Sequence, residues 1–552
     1  MAIFEEVRHL VSEAARSGRL RPVAVRCHVA NSQPTADHLA DLLAMLAEAA
    51  NFEATSLRVQ RVSRGEHILA HVQCRQGESM LLSIAVSKSQ RGPIELTIIG
   101  QRGIAAWEPD DVLAKDDTVT FPRVASDALR HAVQVALESD EPVNIDSPRA
   151  VTHPAVAAPA SSSPSTSKSF APLKPPLGVL LVTGSHSHQE NYARSFADDP
   201  RCRLIGLTDE PGLPAERVAL NARLAKELGI PMFDDFDAAI RRPDVQIISN
   251  CAAPERRANL IYRAARAGKH LYLDKPLTVG IEESDLIAKE IAETGVLNQM
   301  FSLVHTRFAE RVRQVVQSGE LGELVAVHCD AFFAKGMAGT ADLTKPRREL
   351  RRPTAFERIE AKRELHNVGV YSLVLLRWLL RRDVRRVYAN TCNYFFAEHQ
   401  KLDMEDYAHV SLELDGGVVA TVATGRTGWK SHPMGGMNRV LLVGTKRTIN
   451  VDWYRPRLDV WSDEEPWQLP RRHPQDPMGF WSSTVAESGA KAKTAWLTPA
   501  ETTTDVRHFI DCIVAGRGSD VTAADGAAVM EMLLAAYESA ASGASVALPL
   551  RR

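Results

Sequence analysis

The chain has 552 residues, 24% of them charged and 45% hydrophobic, with a formal net charge of −2. That length allows about three or four domains of an ordinary globular protein. The near-neutral charge leaves no footprint for nucleic acid or an anionic membrane surface. The 7 cysteines are scattered without a C-x-x-C pair, which argues for reduced thiols in a cytoplasm and against disulfides or a structural zinc site. No apolar run approaches the ~18 residues of a membrane span, and Glu5 and Glu6 stand where a signal peptide needs bases.

The first 146 residues contain an apolar helical stretch, His38 to Ala49, and two alternating stretches, Ala70 to Ser87 and Ile94 to Trp107. Residues 147–176 are dominated by Pro, Ala and Ser, with little to bury, and are expected to form a flexible linker. The remainder opens with the strand LGVLLVTG, Leu177 to Gly184, then a helix near Gln189 to Asp198 and a second apolar run ending at Asp209. A helix over Pro214 to Leu228, a short strand at Pro231 to Phe233, a helix start at Asp235, a strand over Val245 to Asn250 and a helix over Glu255 to Ala267 follow. Apolar runs separated by amphipathic helices predict βαβ units and a doubly wound parallel sheet, here over residues 177–297.

The next strand, Leu271 to Leu273, ends in Asp274-Lys275-Pro276. Pro276 cannot donate to a ladder, so the strand stops there and Lys275 lies at the carboxyl edge of the sheet, where open α/β folds bind ligands. A lysine held against such an apolar edge can lower its pKa and exchange a proton with a substrate oxygen.

A dinucleotide pyrophosphate is expected at the first strand-to-helix turn. The G-x-G-x-x-G/A fingerprint is degenerate here, reading Gly184-Ser185-His186-Ser187-His188-Gln189. Only the tight-turn glycine survives, leaving Ser185, Ser187 and the helix amides to hold phosphate. With no third ligand in view, His186 and His188 read as loop histidines and no metal is expected. Asp209 ends the second strand, where an acid accepts from the ribose hydroxyls of NAD. Glu210 follows with no adjacent base for a 2′-phosphate, so NAD is expected over NADP.

After Lys275 the pattern changes to α+β. Helices are expected over Gly280 to Thr294, Arg307 to Ser318 and His366 to Leu380, with a strand over Val325 to Phe333. Long alternating segments then build an open, mostly antiparallel sheet, with a hairpin turn at Asp415-Gly416. An Ala-rich helix, Gly526 to Ser542, is apolar around most of its circumference and is expected to pack deeply.

ADDPRCRLIGLTD, AGKHLYLDKPL, SGELGEL, LHNVGVYSLVLLRWLL and EDYAHVSLELDGG, with the ending from Arg507 to Gly543, occur in this order. Together they resemble the glucose-fructose oxidoreductase / inositol dehydrogenase / MocA family over Leu177 to Leu550. The resemblance implies a Rossmann-type NAD domain at 177–297 and an α/β substrate and oligomerisation domain at 298–552. It also implies hydride transfer at a carbinol carbon of a sugar, inositol or related polyol. Lys275 matches the lysine of the family's E-K-P motif, with Asp274 for the glutamate and Pro276 in place. The D-x-G-x-H signature appears as Asn367-Val368-Gly369-Val370-Tyr371. Asn367 can then orient the sugar and Tyr371 relay a proton beside Lys275, with His366 next to the pair. His305, Lys335, Arg426 and His432 match pocket-lining positions, and the bases Arg347, Arg348, Arg351 and Arg352 would suit an acidic sugar. Ala252-Ala253-Pro254 replaces the family's T-P-N, and Ala361 to Glu364 replaces its glycines. The lost glycines and the Asp-to-Asn change leave a weakly catalytic, cofactor-binding or regulatory homologue as the alternative.

The N-terminal unit resembles a shortened copy of the substrate domain, an extra α+β domain over residues 1–146. His38 to Ala49 parallels Tyr371 to Arg382, Ala70-His71-Val72 parallels Ala408-His409-Val410, and Gly100 parallels Gly444. The chain is expected to form a homo-oligomer, or an intrachain pseudo-dimer in which the N-terminal unit's sheet pairs with that of the catalytic unit.

Overall fold

In the computed structural model, the described residues are 2–16, 22–31, 35–62, 67–86, 94–100, 103–107, 123–139, 142–145, 170–184, 188–319, 321–333, 340–342, 363–426, 438–452, 457–462, 492–496 and 505–550. They form three sheets. The first contains β1 (Pro22–Asn31), β2 (Ala54–Val62), β3 (His67–Cys74), β4 (Ser79–Val86), β5 (Ile94–Gly100), β6 (Gly103–Trp107) and β7 (Val143–Asn144), in the order β6-β5-β1-β4-β3-β2-β7. The second is parallel: β8 (Leu177–Thr183), β9 (Cys202–Asp209), β10 (Met232–Phe233), β11 (Ile247–Asn250), β12 (His270–Leu273) and β13 (Asn298–Met300), ordered β10-β9-β8-β11-β12-β13.

The third sheet contains β14 (Leu324–Phe333), β15 (Val384–Cys392), β16 (Tyr407–Leu414), β17 (Val418–Arg426), β18 (Asn438–Gly444), β19 (Arg447–Asp452), β20 (Arg457–Ser462), β21 (Ala492–Trp496) and β22 (Val546–Ala547). Its order is β21-β20-β19-β18-β14-β17-β16-β15-β22, antiparallel except where β14 meets β17. The Asp415-Gly416 turn joins β16 to β17, with Gly416 and Gly417 at φ of 78° and 74°, where a Cβ would be strained. No helix among the described residues is long and apolar enough to cross a membrane.

Two expected boundaries move. β13 pairs with β12, so the parallel sheet runs through Met300 rather than ending at 297. The helix Asp505–Ala515 also returns to this sheet, burying Val506, Phe509, Ile510 and Ile513 against Leu177, Val179 and Leu181. The last residues of the expected linker are held as well. The Phe170 and Leu173 amides donate to the Gly516 and Ile513 carbonyls at 2.9 and 3.3 Å, and both side chains pack on that same core. The linker's middle lies outside the described residues.

The seven strands of the first sheet repeat the order of seven of the nine strands of the third, from β19 to β22. β1 pairs parallel with β4 and antiparallel with β5, as β14 does with β17 and β18. The irregularities coincide too: the shift at Pro22/Ala24 opposite Gly100 matches that at Leu324/Ala326 opposite Gly444. The Gly100 and Gly444 correspondence therefore agrees with the register. The Ala-His-Val correspondence is off by two. Ser56 pairs with Gln73 and Arg386 with Glu413, which sets Val72 against Leu412 and His71 against Ser411. A two-residue slip keeps every side chain on its own face, so alternation alone cannot reveal it.

Alternation also explains why both sheets are buried on two sides. In β1, Val25, Cys27 and Val29 face the helices Ala2–Arg16, Ala36–Ala50 and Asp127–Ser139, while Ala24, Arg26 and His28 face the other way. There they meet the corresponding face of the third sheet. Val23, Ala24 and Ile99 pack with Phe332, Tyr394, Phe395 and Tyr407. Polar contacts cross the same seam: Asn390 Nδ2 to His71 Nε2 at 2.8 Å, Cys392 Sγ to the Gly77 carbonyl at 3.3 Å, and Tyr394 to that same carbonyl. Asp330 lies at its centre, paired with Arg26 and, at 2.9 Å, with Arg439. Removing one partner of a buried pair leaves uncompensated charge and costs ~3–5 kcal/mol. Because Arg439 remains on Asp330, Arg26→Ala is expected to cost at the lower end, about 3 kcal/mol, read from the midpoint of urea unfolding.

Candidate functional site

The carboxyl edge of β12 delivers Asp274, Lys275 and Pro276, and all three are buried. Arg257, fully buried on the helix Arg257–Arg266, fixes this strap. Its guanidinium donates to the Asp274 and Pro276 carbonyls and, at 2.7 and 3.0 Å, to the Ala252 carbonyl. The Asp274 carboxylate accepts from Tyr192 at 2.7 Å and contacts His188 Nδ1 at 3.1 Å, with Arg257 at 3.5 Å. Burial works to raise the Asp274 pKa, but the His188 hydrogen bond and the Arg257 charge outweigh it and hold the group ionised. Arg257 carried no signal in the sequence, because an arginine opening an amphipathic helix reads as surface; only its buried carbonyl partners reveal its use.

Lys275 extends from the strap toward the segment Leu365–Gly369, a single π-helical turn leading into the helix Val370–Leu380. Such turns interrupt regular helices at functional sites. Lys275 Nζ donates to the Asn367 carbonyl at 2.5 Å and to Asn367 Oδ1 at 2.8 Å, and lies 4.7 Å from the centroid of the Tyr371 ring. The lysine, asparagine and tyrosine thus share one environment. Burial lowers the Lys275 pKa to about 8, partly opposed by Asp274 and Glu364. Phe301 and Phe333 pack edge-on to the Tyr371 ring.

Glu364 completes the cluster. Its carboxylate lies 2.7 Å from Arg426 Nε, 3.6 Å from His399 Nε2 and 3.4 Å from Asn367 Nδ2. Burial would raise its pKa, but His399 and Arg426 bring it below the ordinary value. It therefore turns the Asn367 amide so that Oδ1 faces the lysine. In the sequence Glu364 appeared only as a replacement for a glycine. Arg426 belongs to this cluster through Glu364.

His366 lies behind the pair. Its Nε2 donates to the Thr278 carbonyl at 2.9 Å, and burial lowers its pKa to about 3, so the ring is neutral and braces the segment after Pro276. His305 stacks on His508 of the Asp505–Ala515 helix with ring centroids 3.8 Å apart. Lys335, His432, Arg347, Arg348, Arg351 and Arg352 lie outside the described residues, as do Ser185, His186 and Ser187.

The flanks of the glycine loop fit a dinucleotide. A Cβ on Gly184 would come within 2.8 Å of the Cys251 carbonyl, so only glycine allows this close turn. The helix His188–Ala197 starts directly after the loop and presents its amide end there. Asp209 ends β9, its Oδ1 fixed by Thr183 and, at 2.7 Å, by Asn221 Nδ2. Glu210 is buried and accepts from the Ala253 amide at 2.6 Å. The fold brings Arg256 to within 3.9 Å of Glu210, a base that adjacency in sequence did not show. Its guanidinium donates to the Pro211 carbonyl at 2.6 Å, and the buried carboxylate beside it opposes a 2′-phosphate.

A doubly wound sheet with an acid at the end of its second strand, followed by an open sheet whose packed helix brings an Asn-Tyr pair to a strap lysine, is the build of a two-domain nicotinamide-dependent oxidoreductase. Residues 179–302 match the oxidoreductase family, NAD-binding Rossmann fold, and residues 309–450 match the GFO/IDH/MocA C-terminal domain. Residues 179–302 and 309–450 thus carry the two domains of the GFO/IDH/MocA oxidoreductase family, and an additional N-terminal region precedes them. It is 24% identical over 371 residues to scyllo-inositol 2-dehydrogenase (NAD(+)) of Bacillus subtilis, covering 66% of this chain and 93% of that one. It is 26% identical over 209 residues to inositol 2-dehydrogenase of Pseudomonas fluorescens, covering 38% of this chain and 55% of that one. The fold is also similar to that of levoglucosan dehydrogenase, solved with NADH and levoglucosan, at TM-score 0.52, 18% identity and coverage of 68% of this chain and 99% of that one.

The strap predicts its own failure. Arg257→Met leaves Asp274 short of a counter-charge and three carbonyls short of a donor, and is expected to cost about 3–5 kcal/mol in urea unfolding. Arg256→Met touches only an exposed side chain and is expected to change stability by less than about 0.5 kcal/mol.

Proposed function

We propose that the chain oxidises or reduces a carbinol carbon of a sugar, inositol or related polyol with NAD as hydride acceptor or donor. The observation that carries this reading is the lysine at the sheet edge, buried and within reach of both Asn367 and the Tyr371 ring. Gly184, the amide end of the His188 helix and Asp209 would hold the dinucleotide, with Ser185, His186 and Ser187 completing the loop. When bound, NAD supplies the hydride acceptor or donor.

The chain's own residues handle the proton. A substrate hydroxyl bound between Lys275 and Tyr371 replaces one of the lysine's contacts to Asn367. Lys275 polarises the oxygen and, at a pKa of about 8, exchanges a proton with it near neutral pH. Tyr371 relays that proton, and Asn367 orients the neighbouring hydroxyls. Asp274 does not carry protons, since its carboxylate stays ionised against Arg257. His366, neutral and bonded to the Thr278 carbonyl, positions the strap.

Lys275→Ala is expected to lower kcat by roughly 10²–10⁴-fold, the usual contribution of a general acid or base. Reduced-nicotinamide absorbance with NAD and a panel of inositols and aldoses provides the readout. Below a pH of about 8 Lys275 is protonated, so kcat/KM for alcohol oxidation should rise with pH to a plateau there, while the reverse reaction should decline above it. Full turnover in the alanine variant would reject the role of Lys275. Binding of NAD without turnover across the panel would favour a cofactor-binding homologue instead.

We further infer that the N-terminal unit covers the substrate-domain sheet face as a second subunit would. Arg26 and His328 hold equivalent places in the two sheets, as do His28 and Asp330. The Arg26–Asp330 contact is therefore the counterpart of the His28–His328 contact, whose ring centroids lie 5.9 Å apart. Such reciprocity is the rule of a two-fold interface. Removing residues 1–146 should expose this face and drive the remainder to dimerise or precipitate, as read by light scattering. A soluble, fully active remainder with unchanged mass per particle would refute the pairing.

A further inference from the structure

At the seam between the two sheets, His28 of β1, His67 of β3 and His328 of β14 each offer a ligand nitrogen, all within 4.8 Å of one another. We propose that these three histidines form a metal site for Zn²⁺ or a similar borderline divalent ion, clamping the N-terminal unit to the catalytic unit. Two ligands come from one sheet and the third from the other, so the ion acts as a cross-link.

The geometry is that of a built site. Each ring uses one nitrogen on a hydroxyl: His28 Nδ1 and His67 Nε2 meet Ser83 Oγ at 2.9 and 2.6 Å, and His328 Nδ1 meets Thr421 Oγ1 at 2.7 Å. Outer partners of this kind fix the tautomer and aim the opposite nitrogen, as around known histidine-metal centres. Those opposite nitrogens are the ligand atoms. Two of them, His67 Nδ1 and His328 Nε2, are fully buried and have no hydrogen-bond partner among the described residues. A buried polar atom left unmade costs free energy, and a metal at the common point would satisfy both. Burial also lowers the pKa of all three rings, so they stand neutral, as ligation requires. Three imidazoles and an open fourth position suit zinc, cobalt or nickel better than calcium or magnesium.

Charge nearby opposes a dication, which bounds the affinity. Arg26 and Arg439 lie beside the rings, and both share the single carboxylate of Asp330. The spacing 28, 67 and 328 matches no metal motif, so the sequence reading found no metal centre; only the face-to-face packing assembles it.

Full-length protein without a polyhistidine tag, equilibrated with a slight excess of Zn²⁺ and desalted, is expected to retain one equivalent per chain by elemental analysis. His67→Gln should remove that equivalent and abolish the Zn²⁺-induced rise in Tm. His508→Gln, in the separate cluster of His305, His508 and Asp520, should leave both unchanged. Retention of less than a tenth of an equivalent by the unaltered protein, retention unchanged by His67→Gln, or loss with His508→Gln would each overturn the proposal. X-ray absorption on the zinc-loaded unaltered protein does not depend on any variant folding. Three imidazole nitrogens at about 2.0–2.1 Å are expected, and a sulfur ligand or fewer imidazoles would overturn the assignment.

Discussion

The arrangement of the candidate site depends on one buried cation that is not in it. Arg257 carries its charge where water does not reach, and it is tolerated because carbonyl oxygens and a carboxylate surround it. Those acceptors belong to the segment from Ala252 to Pro276, so the guanidinium ties the end of β11 to the end of β12. With the strap tied, the Lys275 side chain leaves the sheet in one direction, toward the π-helical turn that carries Asn367. A buried ammonium with no acceptor would be costly, and the two Asn367 oxygens make it affordable. The proposed catalytic amine is therefore placed by a chain of satisfied polar groups.

The substitution of asparagine for the family's aspartate makes sense in this setting. An ionised aspartate at position 367 would attract the ammonium and raise its pKa, working against the burial that brings Lys275 to about 8. The neutral amide keeps the hydrogen bond and leaves the shift. Glu364 supplies charge instead, but it divides it among Arg426, His399 and the asparagine amide. What looked in sequence like the loss of a catalytic acid is better read as charge moved one turn upstream, where it orients without titrating.

How much could be read beforehand followed the range of the interactions. Asp274-Lys275-Pro276 was legible because proline ends a strand by its own covalent structure. The turn at Asp415-Gly416 and the helix Arg307–Ser318 were equally local. The helix at His366 was found, but its first turn is π-helical and packs against β17, a distant strand that local propensity does not report. Arg257, Glu364 and the histidine cluster were invisible because their partners are distant in sequence. The internal copy lay between these limits. Gly100 and Gly444 mark the same sharp approach and were matched correctly, whereas Ala70-His71-Val72 was matched two residues out.

That duplicated sheet bears on how the catalytic half is held. β14 to β18 present one face to the helices that carry the site and the other to the N-terminal unit. Asp330 on β14 looks into the seam, while Val327 and Cys329 on the same strand join the core that also contains Tyr371. A strand packed on both faces at crystal-like density cannot shift one face without disturbing the other. An added domain that repeats the sheet can thus support the site by covering the opposite face of the sheet beneath it. The same two-sided constraint sets histidines from both sheets close together at the seam. Their hydrogen-bonding capacity has to be met there, by hydroxyls on one side of each ring and by whatever occupies the space between them on the other.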